Sequence, residues 1–319
     1  MKKALITKLI SNQYEIVDLE SGMTLSASAR GKLRSVTVDE KSSFLRQETK
    51  KTKLEKKTIQ LSPKPGDYVF YDIQEEKNII IDIMDRKNDL VRPDVANVDQ
   101  IILVFSCIRP EFSFYLLDKF LIIMAQNNLN SILVVSKIDL IEENALNEIK
   151  DKLKYYQNVL EMKIYYVNSK QRIGVDVLED EFKGKISVLA GQTGVGKSTL
   201  INAIMPELEL KTQEISFALG RGKHTTRHSE LFSFNGGYIA DTPGFSKIEF
   251  LIFNVFDVKE YYNDFIELSN YCKFGNKCLH INEPNCKVIE SYKNGKILKE
   301  RYENYLDFVN EVKTQKVKY

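Results

Sequence analysis

The stretch ISVLAGQTGVGKSTLINAI, residues 186–204, decides the reading of this 319-residue chain. Ile186 to Ala190 carry a buried-strand pattern. Gly191, Gln192, Thr193, Gly194, Val195, Gly196, Lys197 and Ser198 then match G-x-x-x-x-G-K-[ST], and Thr199 follows in a run of helix formers. Strand, glycine turn and helix are what a phosphate-cradling loop needs. Backbone N–H groups of the turn and helix start wrap the phosphates, Lys197 reaches the outer ones, and Ser198 is placed to ligate Mg²⁺. The bland alternative is an ordinary strand-to-helix turn.

A phosphate loop accepts ATP as readily as GTP, so the base is read elsewhere. Ser136, Lys137, Ile138 and Asp139 follow the apolar run SILVVS. A carboxylate at Asp139 accepts two hydrogen bonds from the guanine N1–H and exocyclic amine, which adenine cannot offer. The stem of Lys137 would pack along the base. Ser169 and Lys170, after the next strand signal, have the pattern of a companion base-contact loop. These segments precede the phosphate loop, whereas in most such nucleotide switches the phosphate loop comes first.

A third strand signal ends in IADTPGF. Asp241 would hold the Mg²⁺ shell, and the Gly244 N–H would face the γ-phosphate. Between this segment and the phosphate loop, GRGKHTTRHSEL carries Thr225 and Thr226. Thr226 is the residue expected to close over Mg²⁺ and γ-phosphate. Phe245 occupies the place of a water-positioning glutamine, and a phenyl ring orients no water. His224 is the expected substitute, with His228 competing and a purely loop-ordering role for His224 left open.

Near the C-terminus Cys272, Cys278, His280 and Cys286 are spaced C-x₅-C-x-H-x₅-C. Three thiolates and an imidazole complete a tetrahedral Zn²⁺ shell with no open position, so the site reads as structural. The P-C-x-x-C element of zinc deaminases is missing.

The flanks set the organisation. Residues 1–85 read as short strands (ALITKLI, YEIVDL, MTLSASA, LRSVTV, GDYVFYDI, NIIIDIM), which predicts a small N-terminal β-barrel. Residues 86–250 alternate strand and helix, the texture of an α/β sheet covered on both faces. Residues 251–319 turn helical and polar, and RYENYLDFVNEVKTQ places Tyr302, Tyr305, Leu306, Val309 and Val312 on one helix face. The net charge is only +2, yet residues 30–57 hold ten Lys/Arg against four Asp/Glu. That stretch is either a solvated lysine-rich loop or a dock for a polyanion. The opening MKKALITKLISNQ lacks the apolar run of a secretory signal, and no uncharged apolar stretch approaches the roughly 20 residues that span a bilayer. The expected location is the cytoplasm, with no membrane partner.

The order of base motif, phosphate loop, threonine segment, D-T-P-G and zinc cluster resembles the ribosome-small-subunit-dependent GTPase A (RsgA) family of circularly permuted bacterial GTPases. RGKLR (30–34), PGDYV (65–69) and RKNDLVRPDVANVDQIILVFS (86–106) extend the likeness over nearly the whole chain. The resemblance implies a multidomain α/β architecture with three parts. An N-terminal OB-type barrel would bind RNA, a central permuted P-loop domain would hydrolyse GTP, and a C-terminal helical domain would hold zinc. It implies GTP/GDP, Mg²⁺ and Zn²⁺ as cofactors, and the small ribosomal subunit with its rRNA as partner for a monomeric protein. The family pattern also has a histidine before the paired threonines and an apolar residue after D-T-P-G, as His224 and Phe245 do here. It differs at Ser136, where the family has Asn, a side chain able to make more hydrogen bonds. Two other readings compete: a GTP-locked RNA-binding module with incidental turnover, and a P-loop ATPase or kinase, which Asp139 argues against.

Overall fold

In the computed structural model the described residues are 1–10, 13–30, 35–38, 57–60, 62–90, 93–206, 229–241 and 254–314. They belong to two compact units. The first comprises 1–102, 175–190 and 197–245, and the second 103–174, 191–196 and 246–319. Among the described residues no helix is long and apolar enough to cross a membrane.

The first unit contains the barrel. Strands β1 (Lys2–Ile10), β2 (Gln13–Asp18), β3 (Thr24–Ala29), β6 (Tyr68–Gln74) and β7 (Lys77–Ile83) run in the order β1-β2-β3-β7-β6, and β6 pairs back onto β1 to close the circuit. The β3–β7 ladder is parallel and the others are antiparallel. Closure leaves no open edge among the five strands. Alternating residues fill the interior: Ala4 and Ile6, Ile16, Val69 and Tyr71, and Ile80. Asp18, at the end of β2, accepts hydrogen bonds from the Tyr71 Oη at 2.7 Å and from the Ser21 amide and hydroxyl, both at 2.7 Å. Of LRSVTV, the described residues Ser35–Val38 (β4) form a strand that is not a barrel member. Among the described residues it pairs only with Lys57–Gln60 (β5), in a separate antiparallel ribbon. Residues 39–56, most of the basic stretch, lie outside the described residues.

Two short strands, β8 (Asp89–Leu90) and β9 (Val95–Ala96), follow the barrel, braced by Arg86, whose guanidinium grips both oxygens of buried Asp67 at 2.7 and 2.8 Å. β10 (Gln100–Ser106) is buried along its whole length. Later in the same unit β13 (Ile186–Ala190) pairs in parallel with β15 (Gly237–Asp241), and β15 pairs with β14 (Glu230–Phe234) across a tight Asn235-Gly236 turn. Both turn residues have positive φ, 50° and 70°, as a two-residue hairpin loop requires. β14 meets β1 at Lys8↔Glu230, where the two side chains form an ion pair at 2.7 Å.

The second unit carries α1 (Phe114–Gln126), β11 (Asn130–Ser136), α2 (Glu143–Val159) and β12 (Ile164–Val167), with β11 and β12 parallel. Ser113 caps α1 by accepting from the Leu116 N–H. The C-terminal helices α5 (Asn263–Ser269), α6 (Lys287–Lys293) and α7 (Lys299–Thr314) share one core, in which Tyr262, Phe265, Val288, Tyr302, Tyr305, Phe308 and Val309 pack with Ile122 of α1. Of the helix face read from sequence, Tyr302, Tyr305, Val309 and Val312 are buried and Leu306 is partly so. A polar brace crosses this core. Arg301 donates to Asp118 at 2.7 Å and to Asp264 at 2.8 Å, its guanidinium lies 4.0 Å from the Tyr262 ring centroid, and Tyr156 and Asn304 also donate to Asp118. The Asp118 and Arg301 side chains are at most 2% exposed.

Candidate nucleotide and zinc sites

The phosphate loop has the backbone its glycines imply. Gly191 has φ 143°, and a Cβ there would lie 2.2 Å from the Val104 carbonyl oxygen; Gly196 has φ 97°. Only glycine fits the first position, because any side chain would collide with backbone that cannot yield. Val195 is buried and anchors the turn. Helix α4 (Lys197–Ile204) opens directly after it, so Lys197, Ser198 and Thr199 stand on its first turn. Burial lowers the Lys197 ammonium to about 8, the behaviour of a cation held in a partly desolvated place. This donor-rich turn fits a phosphate chain. Asp241 ends β15 one residue beyond the Val188↔Ala240 pair, so its backbone lies at the end of the sheet where β13 finishes at Ala190. His224, Thr226 and Gly244 lie outside the described residues.

The base motif sits at the end of β11. Ser136 is buried, and its hydroxyl lies 2.6 Å from the Val195 carbonyl and 3.2 Å from that of Phe105. A hydroxyl has one proton, and the shorter contact takes it. The base motif is thereby tied to the phosphate loop. The Ser136 carbonyl accepts from the Cys107 N–H at 3.0 Å, and burial raises the Cys107 thiol to about 11, consistent with an inert strand-end residue. Lys137 turns the chain with φ 58° into the short turn Ile138–Leu140 and donates to the Ile108 and Arg109 carbonyls. Burial first, then the nearby charges of Arg109 and Lys170, pulls its ammonium down. Asp139 is exposed.

The companion loop is shaped by a residue the sequence reading passed over. Asn168 accepts from the Lys170 and Gln171 amides at 3.1 and 3.3 Å and donates to the Gln171 side chain at 2.8 Å. Asn after a strand, followed by small and polar residues, is the available signal for such a turn. The structure thus joins Ser136 to the phosphate loop.

Cys272, Cys278, His280 and Cys286 are all buried, with their ligand atoms within 4.8 Å of one another. The Cys272 and Cys286 sulfurs are 3.7 Å apart, and His280 Nδ1 lies 3.7 and 3.2 Å from them. A tetrahedral Zn²⁺ with ordinary bond lengths sets sulfur pairs about 3.8 Å and sulfur–nitrogen pairs about 3.5 Å apart. The four residues fit the ion. Burial pushes the Cys286 thiol up to about 12 and the His280 imidazole down to about 4. The imidazole is therefore neutral, as a ligand must be, and only a bound cation makes buried thiolates tolerable.

An OB-type barrel, a parallel-stranded phosphate-loop fold with its base motif upstream of that loop, and a Cys₃His cluster define a circularly permuted P-loop GTPase. Comparison with known proteins gives the family. The RsgA GTPase model matches residues 83–251. Small ribosomal subunit biogenesis GTPase RsgA of Onion yellows phytoplasma (strain OY-M) is 48% identical over 316 residues, covering 99% of each protein. The protein of that name from Geobacillus sp. (strain WCH70) is 45% identical over 260 residues, 81% of this chain and 88% of its own length. Among solved structures, YjeQ from Thermotoga maritima superposes with a TM-score of 0.78 at 32% identity, covering 99% of both chains. YloQ, a circularly permuted GTPase, gives 0.77 at 32% identity over 100% of this chain and 97% of its own. The chain belongs to the RsgA GTPase family.

Proposed function

We propose that this chain hydrolyses GTP to GDP and phosphate in the late maturation of the small ribosomal subunit, bound to that subunit's rRNA and accelerated by it. The observation that carries the proposal is the hydrogen bond from Ser136 to Val195, because it fixes the purine-reading segment relative to the phosphate-holding one. Curated relatives named for small ribosomal subunit biogenesis supply the biological setting.

In this reading Asp139 accepts the guanine N1–H and amine, Lys137 and Ile138 flank the base, and Ser169 and Lys170 close its far side. The backbone of Gly191 to Thr199 wraps the phosphates, with Lys197 at the outer ones. Ser198, Thr226 and Asp241 would hold Mg²⁺, which when bound supplies positive charge against the phosphate oxygens. The Gly244 N–H donates to the γ-phosphate, and His224 holds the attacking water in place of the glutamine that Phe245 displaces. Phosphate loss releases Thr226 and Gly244 from their ligand, which would alter the grip on RNA. The chain acts as a monomer in the cytoplasm, organised as an RNA-binding barrel (1–85), a permuted GTPase domain (86–250) and a zinc-binding helical domain (251–319). Basic residues 30–57 track the rRNA backbone by charge.

Steady-state phosphate release titrated with purified small subunits tests this. The rate should climb and saturate, and a His224→Ala variant should lose the increase. A rate indifferent to subunits, or full competition of ATP against a labelled GTP analogue, would refute it.

A further inference from the structure

The zinc cluster has an outer layer of side chains. Ser269, the last residue of α5, has its Oγ 2.7 Å from the Phe265 carbonyl and 2.9 Å from His280 Nε2. One proton must serve these two contacts. If Ser269 gave it to the imidazole, two oxygens would face each other at 2.7 Å with nothing between them. Given to Phe265, it forms the usual back-bond of a serine to the carbonyl one helical turn earlier, and Oγ is left to accept. Nε2 must then carry the imidazole proton. Nδ1 keeps its lone pair, and Nδ1 is the nitrogen beside the Cys272 and Cys286 sulfurs, at 3.7 and 3.2 Å.

A second observation concerns charge. Lys259 is only 4% exposed, and its ammonium donates to the Asn276 carbonyl at 2.7 Å and to that of the ligand Cys278 at 3.1 Å. Among the described residues no carboxylate lies within ion-pairing distance of it. A buried cation needs compensation. The one carboxylate lining the ligand loop, Glu283, is partly exposed and spends its oxygens on the Leu279, Ile281 and Asn282 amides at 2.8, 2.8 and 3.0 Å. Three thiolates around a dication carry one net negative charge, which is what Lys259 lacks.

We propose that Ser269 and Lys259 are the positioning residues of the zinc centre: Ser269 selects the imidazole form that binds through Nδ1, and Lys259 balances the thiolate charge while clamping the loop between Cys272 and Cys278. The inference rests on the zinc reading of this cluster. Outer-layer partners of metal ligands typically contribute 10- to 100-fold to metal affinity.

The test uses the full chain loaded with Zn²⁺. Long-range ¹H–¹⁵N spectra of the His280 ring should show Nε2 protonated and Nδ1 bound to metal. Zinc affinity, measured by competition with a chromophoric chelator, should fall about 10- to 100-fold in Ser269→Ala and in Lys259→Met. Ser269→Thr and Lys259→Arg should recover most of the loss, which a merely packing role would not produce. The absorption bands of the Co²⁺-substituted chain should shift in Ser269→Ala, where the imidazole is free to rotate. Ligation through Nε2, or affinities of Ser269→Ala and Lys259→Met within twofold of the parent, overturns the proposal and leaves the zinc site standing. Failure of the parent chain to bind zinc overturns both.

Discussion

Replacing Ser136 by Ala removes a single hydroxyl and tests whether the base motif and the phosphate loop act as one element. The hydroxyl is buried and donates to the Val195 carbonyl at 2.6 Å. Without it that acceptor has no partner among the described residues, in a place closed to water. Such an orphaned group costs about 1–3 kcal/mol, and if the loop gives up its nucleotide-ready form to escape this cost, the affinity loss is about 5- to 150-fold. Val195 lies in the turn proposed to wrap the phosphates of either nucleotide, so GDP and GTP should weaken together, and the preference for guanine over adenine should persist because Asp139, the proposed base reader, is untouched. Asn at the same position, with two N–H protons, should retain or improve affinity. Equilibrium binding of fluorescent guanine nucleotides measures all of this. If Ser136→Ala bound GDP and GTP within twofold of the parent, the tether would be a packing contact, and the linkage argued for it would be wrong.

Other expectations follow from buried groups. Arg301→Ala leaves Asp118 and Asp264 without their cation and should cost about 3–5 kcal/mol in denaturant unfolding, whereas replacing all three charged residues by apolar ones of similar volume should recover most of it; equal stability of Arg301→Ala and parent would show that the brace contributes nothing. Asp18 has its carboxyl held far below the ordinary carboxylate range, first by the Ser21 amide and then by Tyr71 and Ser21 hydroxyls. Its contribution to barrel stability is therefore complete above the unfolded value of about 4 and is lost as pH falls further; melting curves of Asp18→Asn should show a shallower acid branch, and an identical branch would remove Asp18 from the account. Stripping Zn²⁺ with a strong chelator should loosen residues 254–314 selectively, since structural zinc contributes folding energy directly; hydrogen exchange that stays unchanged there after metal removal would contradict a structural role.

Much of this was legible in the sequence because local chemistry and spacing carried it. The G-x-x-x-x-G-K-[ST] turn dictates its own backbone, and Gly191 lies where a Cβ would strike the Val104 carbonyl. The four residues proposed to hold zinc stood out by type and spacing, and all four are brought together. What stayed hidden depends on partners remote along the chain. The strand at Ser35–Val38 was readable from its alternation, but its membership of a separate ribbon depends on Lys57–Gln60, which carries only Thr58 and Ile59 as strand formers. Nothing local in the sequence marks Asp118 for burial; its partners Tyr156, Asn304 and, 183 residues later, Arg301 explain its place among buried apolar neighbours. Ser136 seemed the poorer choice beside the family's Asn. The tether uses only one proton, which serine possesses.

Why a permuted order can work follows from magnitudes. A hydrogen bond between the base motif and the phosphate loop has the same energy whichever comes first along the chain; only the entropy of closing the intervening loop changes. That entropy grows logarithmically, by about 0.6 kcal/mol for each doubling of length. Here the Ser136–Val195 bond closes a separation of 59 residues. The Asp118–Arg301 contact closes 183, and by the same scaling this longer closure costs only about 1 kcal/mol more. Against that stands a buried charge network whose disruption costs about 3–5 kcal/mol. The contacts therefore outweigh chain order: reordering the motifs shifts the folding balance by less than one well-made buried interaction. Selection is left free to place the cut where the C-terminal segment can pack on α1.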